Sequence, residues 1–125
     1  MDQRLRRCNR LSARADFTRC HRYGRRLRTS YFTVYAYHRG EGATRLGLAV
    51  GKAIGIAVVR NRVKRRLREL FRRQKTLIPM GYDLFVRAVP ASASASYPAL
   101  EVVWCEAMAM LKAGESLGHT RATNV

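Results

Sequence analysis

Eight basic side chains crowd one short stretch: Arg60, Arg62, Lys64, Arg65, Arg66, Arg68, Arg72 and Arg73, with Glu69 as the one acid among them. Interleaved with them, Val59, Val63, Leu67, Leu70 and Phe71 recur at the spacing of one apolar helix face. The segment 57–73 therefore reads as a helix that docks an arc of roughly 120 degrees on a core. Asn61, Lys64, Arg65, Arg68 and Arg72 fall on the opposite face, and Arg62, Arg66 and Arg73 lie along one flank. Like charges four residues apart destabilise a helix. A solvated surface helix usually relieves this by mixing signs. This one does not, so its outer face calls for a polyanion. Arg60 projects into the apolar arc, where an unpaired charge is costly to bury, and is expected to snorkel to the edge. Gly55-Ile56-Ala57 supplies no side-chain acceptor for the first helix amides. Those open amides beside Arg60, Asn61 and Arg62 would suit a phosphate oxygen.

The parts for cutting a phosphodiester unaided are missing. Two-metal hydrolysis needs clustered carboxylates. Asp2, Asp16, Glu41, Glu69, Asp83, Glu101, Glu106 and Glu115 are scattered with no repeated local pair. His21, His38 and His119 form no recognisable acid–base set with them. Cys8, Cys20 and Cys105 lack metal-ligand spacing, and Cys20 and Cys105 read as small helix residues. No catalytic or metal-ligating residue is assigned; a binding role is expected.

Composition agrees. A chain of 125 residues suits one domain, and 47% hydrophobic content argues for a folded one. With 25 basic against 8 acidic residues the net charge is +17, which selects nucleic acid or an anionic surface as partner. Arg supplies 21 of the basic residues and Lys 4. Arg gives planar, bidentate contacts to phosphate and stacks on bases; a genome-wide preference for Arg would produce the same bias. No apolar run approaches the ~20 residues of a membrane span, and the start Met-Asp-Gln-Arg-Leu-Arg-Arg has no signal core behind it. A cytoplasmic protein with no membrane partner is expected.

The remaining elements must position these residues. Ser12 is a candidate cap for a first helix that carries Asp16, Phe17, Cys20 and His21 and stops near Gly24. Phe17 and His21, four apart, share a face. Arg25-Arg26-Leu27-Arg28 leads into the clearest strand, 31–37, which alternates Phe32, Val34 and Ala36 against Tyr31, Thr33, Tyr35 and Tyr37. The first set suits a core beneath a helix; the second resembles a surface on which unpaired bases stack. A second strand spans 45–50 and a third 82–89. The linker Gly51-Lys52-Ala53-Ile54-Gly55 lacks the spacing of a phosphate-binding P-loop. Ser96 is placed to cap a last helix, with Pro98 in its first turn and Leu100, Val103, Trp104, Ala107, Met108 and Leu111 as its stripe. Gly114 is expected to end that helix, giving one RNA-binding domain over 1–114 and a disordered tail over 115–125. Charge alone also fits a ribosomal or chaperone-like RNA-binding protein; a duplex-DNA binder fits less well, for want of a helix-turn-helix.

One further feature narrows the choice. Val50-Gly51-Lys52-Ala53-Ile54-Gly55-Ile56-Ala57-Val58-Val59 followed by Arg60-Asn61-Arg62-Val63-Lys64-Arg65-Arg66-Leu67-Arg68 resembles the signature of the bacterial ribonuclease P protein. There a V-S-K-K-x-G-x-A-V segment precedes an R-N-R-x-K-R-x-x-R helix, and the second part is matched at every fixed position. Asn9-Arg10-Leu11, Asp16-Phe17, Gly24 and Phe32-x-x-Tyr35 extend the likeness over about two-thirds of the chain. The resemblance implies a small subunit of a ribonucleoprotein endonuclease that removes the 5′ leader from precursor tRNA. The RNA subunit would carry the catalytic Mg²⁺, with no obligate protein partner. Arg60, Asn61, Arg62, Lys64, Arg65 and Arg68 would face that RNA. Phe17, Tyr35 and Lys52 would line a cleft for the single-stranded leader, with His21 where the family commonly has Phe. The fold implied is an α+β two-layer sandwich, roughly αβββαβα, with helices mainly on one face of a small sheet and a left-handed βαβ crossover. Gly51, Ala53, His21 and Ile56 depart from the usual pattern.

Overall fold

The computed structural model describes residues 14–116. The basic segment 1–11, Cys8, the cap at Ser12, His119 and the tail beyond Ser116 lie outside them.

Helix α1, Arg14–Tyr23, ends where Gly24 donates its amide to the Cys20 carbonyl at 2.9 Å. A Cβ at Gly24 would collide with that same carbonyl, so the tight exit into the sheet needs glycine. The strands are β1 Arg25–Arg28, β2 Phe32–His38, β3 Arg45–Ala49 and β4 Tyr82–Ala88. Helix α2, Ala57–Arg73, lies between β3 and β4, and α3, Tyr97–Ser116, follows a 3-10 turn over Pro90–Ser94. The order is αβββαβα.

The four strands form one sheet in the order β1-β2-β4-β3. β1/β2 and β2/β4 pair antiparallel and β3/β4 pair parallel, so α2 forms the crossover between neighbouring parallel strands. One sheet face, with Phe32, Val34, Ala36, Leu46, Leu84 and Val86, is buried against Val63, Leu67, Leu70 and Phe71 of α2 and Leu100, Trp104, Met108 and Leu111 of α3. Each of these large side chains contributes about 1.5–3 kcal/mol by leaving water, which is what pins α2 against its own charge repulsion. The other face carries α1 over a smaller cluster of Cys20 and Tyr35 with Phe17, Tyr37 and Phe85.

Three expectations are revised. Arg25–Arg28 is a strand in its own right, pairing from Arg25↔Ala36 to Arg28↔Thr33, although its single apolar residue gives no alternation to read. Tyr31 precedes β2 and packs against the main core instead of joining Tyr35 on the α1 face. Helix α3 continues through Gly114 to Ser116. The Arg25 guanidinium crosses Gly114 to reach the Met110 and Leu111 carbonyls at 3.2 and 3.3 Å, and a Cβ there would make this flexible side chain shift. The Ser96 cap is as expected, with its Oγ accepting from the Ala99 amide at 3.2 Å.

Candidate nucleic-acid interface

Two surfaces gather the residues singled out above. The first is the outer face of α2. Its apolar arc is held in the core, and Ile56 at its N-cap makes no side-chain cap hydrogen bond, so the first amides stay open. Arg60 does not enter the core; its Nε turns back to donate to the Gly55 carbonyl at 3.1 Å. The flank behaves differently from the face. Arg62 donates to the Ala93 carbonyl at 3.3 Å and Arg66 to the Ala95 carbonyl at 2.8 Å, tying α2 to the turn before α3. Glu69 accepts from Arg72 at 2.6 Å and Arg73 at 2.7 Å, and these contacts, led by Arg72, hold its carboxyl below the usual range. Arg73 also lies over the Tyr97 ring, 5.9 Å from its centre. What remains is a row of Asn61, Lys64, Arg65 and Arg68. Asn61, Arg65 and Arg68 are exposed, and none of the four has an ion-pair partner among the described residues. Lys64, Arg65 and Arg68 are the unneutralised charges of α2 that no backbone carbonyl ties down either.

The second surface is the groove between α1 and the sheet. Because Val34 and Val86 face the core, Tyr35 and Phe85 face α1. Phe17 meets Phe85 edge-on at 5.2 Å, Tyr35 stacks near Phe85 at 5.7 Å, and His21 leans on Tyr35 at 4.9 Å. Tyr35 is 7% exposed, whereas His21 is open to solvent. The strand alternation suggested an open aromatic surface; the tyrosine is instead the floor, and His21 is the ring a base would meet first. Phe85 was not among the residues singled out, although alternation from Leu84 and Val86 would have placed it. Lys52 is exposed in a 3-10 turn three residues past Ala49, and that turn lies against the Pro90–Ser94 turn and α2, apart from the Phe17, His21 and Tyr35 cluster.

An ion-pair network sets α1 on the sheet. Asp83 is wholly buried and is gripped by Arg45 through two bonds of 2.8 Å and by Arg39 at 2.9 Å. Arg45 also reaches Asp16 of α1 at 3.6 Å, and Asp16 pairs with Arg19 at 3.1 Å. The hydrogen bonds to Asp83 raise the Arg45 pKa further. Cys20 points its Sγ at the Asp83 carbonyl at 3.5 Å, and burial, then the charges of Asp83 and Asp16, push its thiol up to about 11.

A basic helix face on one side of the sheet and an aromatic groove on the other suit RNA, and comparison with known proteins says which kind. A family model described as Ribonuclease P matches residues 5–112. The chain belongs to the ribonuclease P protein family. Among curated members, the ribonuclease P protein component of Streptomyces avermitilis is 43% identical over 101 residues, spanning 74% of this chain and 82% of its own length. That of Thermobifida fusca is 37% identical over 125 residues, spanning 92% and 85%. Among solved structures, the RNase P protein of Staphylococcus aureus superposes with a TM-score of 0.75 at 28% identity, covering 83% of this chain and 95% of that one. The RNase P protein from Thermotoga maritima does so with 0.73 at 31% identity, covering 79% and 94%. As a ribonuclease P protein, the chain is the protein subunit of the endoribonuclease that matures the tRNA 5′ end.

Proposed function

We propose that the two surfaces divide the work of this subunit. The face of α2 that bears Arg60, Asn61, Arg62, Lys64, Arg65 and Arg68 binds the ribonuclease P RNA. Asn61, Lys64, Arg65 and Arg68 contact its backbone, and Arg62 serves the interface partly by bracing the helix. The groove of Phe17, His21 and Tyr35, with Lys52 beyond it, holds the single-stranded 5′ leader of precursor tRNA. One base stacks at His21 over Tyr35, and Lys52 meets the phosphate backbone. The protein supplies affinity and orientation, and Mg²⁺ at the scissile phosphate is held by the RNA. Among the described residues no three His, Cys, Asp or Glu side chains gather to hold an ion. In this reading the chain, with α3 carried through to Ser116, acts as one RNA-binding domain, and the protein works in the cytoplasm with its RNA.

The observation that carries the reading is the unneutralised row on α2, on a helix that packing into the core holds rigid. The groove is tested by the affinity of the assembled enzyme for precursor tRNAs with leaders of one or eight nucleotides. The longer leader should bind more tightly, and Tyr35→Leu or His21→Ala should erase most of that difference. Equal affinity for both leaders in the unaltered protein would remove the groove from the account.

A further inference from the structure

We propose that Arg28 and Arg87 form a clamp for one phosphate of single-stranded RNA, about one nucleotide along from the base stacked at His21. The inference rests on the groove holding the leader and adds a site that the sequence signature does not contain.

Strand register builds it. Leu27 faces the core, so Arg28 projects from the α1 face of β1; Val86 and Ala88 face the core, so Arg87 projects from the same face of β4. Arg28 is in register with Thr33, Thr33 with Arg87, and Arg87 with Ala49. The two arginines therefore straddle one short residue at ~9.5 Å between backbones, two strand spacings apart. Two residues along the strands lies the aromatic row of Tyr35 and Phe85, at ~6.6 Å, within reach of a neighbouring nucleotide. Helix α1 covers that row and the ion pairs beyond it, and Gly47 and Ala49 leave the β3 side of the groove shallow.

Charge separates the two ends of the face. Under α1, Arg19, Arg39 and Arg45 are each matched by Asp16 or Asp83. Arg28 and Arg87 are exposed and have no ion-pair partner among the described residues. Guanidinium groups donate and never accept, and their planar fork fits a phosphate. With no aromatic ring in their own row, the pair would read backbone charge and not base identity.

The test uses the assembled enzyme and precursor tRNAs with leaders of one or eight nucleotides. Arg28→Gln/Arg87→Gln should bind the long-leader substrate about tenfold more weakly and leave the one-nucleotide leader unchanged. Its salt dependence should be shallower by a log–log slope of about 0.7, the share of one single-strand phosphate. In the unaltered protein, a scan of neutral methylphosphonates along the leader should find one position that costs as much. At that position the double variant should lose nothing more. This scan also decides the matter if the double variant folds poorly. A loss independent of leader length, or a scan with no single sensitive phosphate, overturns the clamp. If Tyr35→Leu abolishes leader dependence while the arginine variant does not, the groove stands and the clamp falls. If neither variant matters, both fall.

Discussion

Arg45 grips Asp83 through two hydrogen bonds of 2.8 Å between neighbouring parallel strands, and the same guanidinium reaches Asp16 on α1 at 3.6 Å. One side chain thus joins the centre of the sheet to the helix that walls the groove. Because Asp83 is fully buried, this pairing and the Arg39 contact replace the hydration its carboxylate has lost.

Arg45→Leu should cost about 3 kcal/mol, at the low end for a broken buried pair because Arg39 still holds one oxygen. Thermal unfolding should show a drop of roughly 10 °C. Arg45→Leu/Asp83→Leu should regain part of the loss, since the buried charge goes with its partner and the Arg39 left behind is partly exposed and keeps the Ala43 carbonyl. A double variant less stable than the single one would contradict the pairing argument.

On α2, neighbouring arginines should separate cleanly. Arg65→Ala and Arg68→Ala should weaken binding of the ribonuclease P RNA while leaving thermal stability unchanged, because neither side chain has an ion-pair partner among the described residues. Arg66→Ala should instead lower stability by about 1–2 kcal/mol, the worth of its charge-assisted bond to the Ala95 carbonyl. Unfolding and filter binding on the same three variants would check both halves.

Glu69 ties up Arg72 and Arg73, so Glu69→Gln should free both and tighten RNA binding severalfold at low salt. Its carboxyl titrates below the ordinary value in the folded protein. The stability it contributes is therefore complete above the unfolded-state pKa and is lost as pH falls through the lowered folded value. Glu69→Gln should accordingly remove part of the acid-side decline in an unfolding-versus-pH series.

Cys20 should be inert in the folded protein. With its thiol at about 11, roughly one molecule in a thousand carries the thiolate at pH 8. Alkylation at that pH should label Cys20 only in denaturant, and rapid labelling at Cys20 itself in the native chain, as distinct from Cys8 or Cys105, would show that α1 does not stay on the sheet.

How much of this was legible in advance depended on how local each signal was. Helix α2 was readable from end to end, because the 3.6-residue recurrence of Val63, Leu67, Leu70 and Phe71 is a local property. Its basic face followed from the same wheel, and so did the snorkelling of Arg60. Strand β1 was not readable: Arg-Arg-Leu-Arg becomes a strand by pairing with β2, a choice made by partners and not by composition. The insertion of β4 between β2 and β3 is likewise non-local. The wheel placed Arg62 and Arg66 on a flank but could not supply the Ala93 and Ala95 carbonyls that hold them. At the groove, Phe17, His21 and Tyr35 do come together; that Tyr35 would be covered by His21 and Phe85 is a matter of packing.

The central claim is that the unneutralised face of α2 lets this protein assist a catalytic RNA. It is tested most directly by cleaving the 5′ leader from a precursor tRNA with a bacterial ribonuclease P RNA at low Mg²⁺, with and without the protein. Stimulation should be strong and should vanish when Lys64, Arg65 and Arg68 are replaced by Ala, in a variant whose melting temperature is unchanged. Stimulation that survives this loss of charge would contradict the account, and so would cleavage by the protein without RNA.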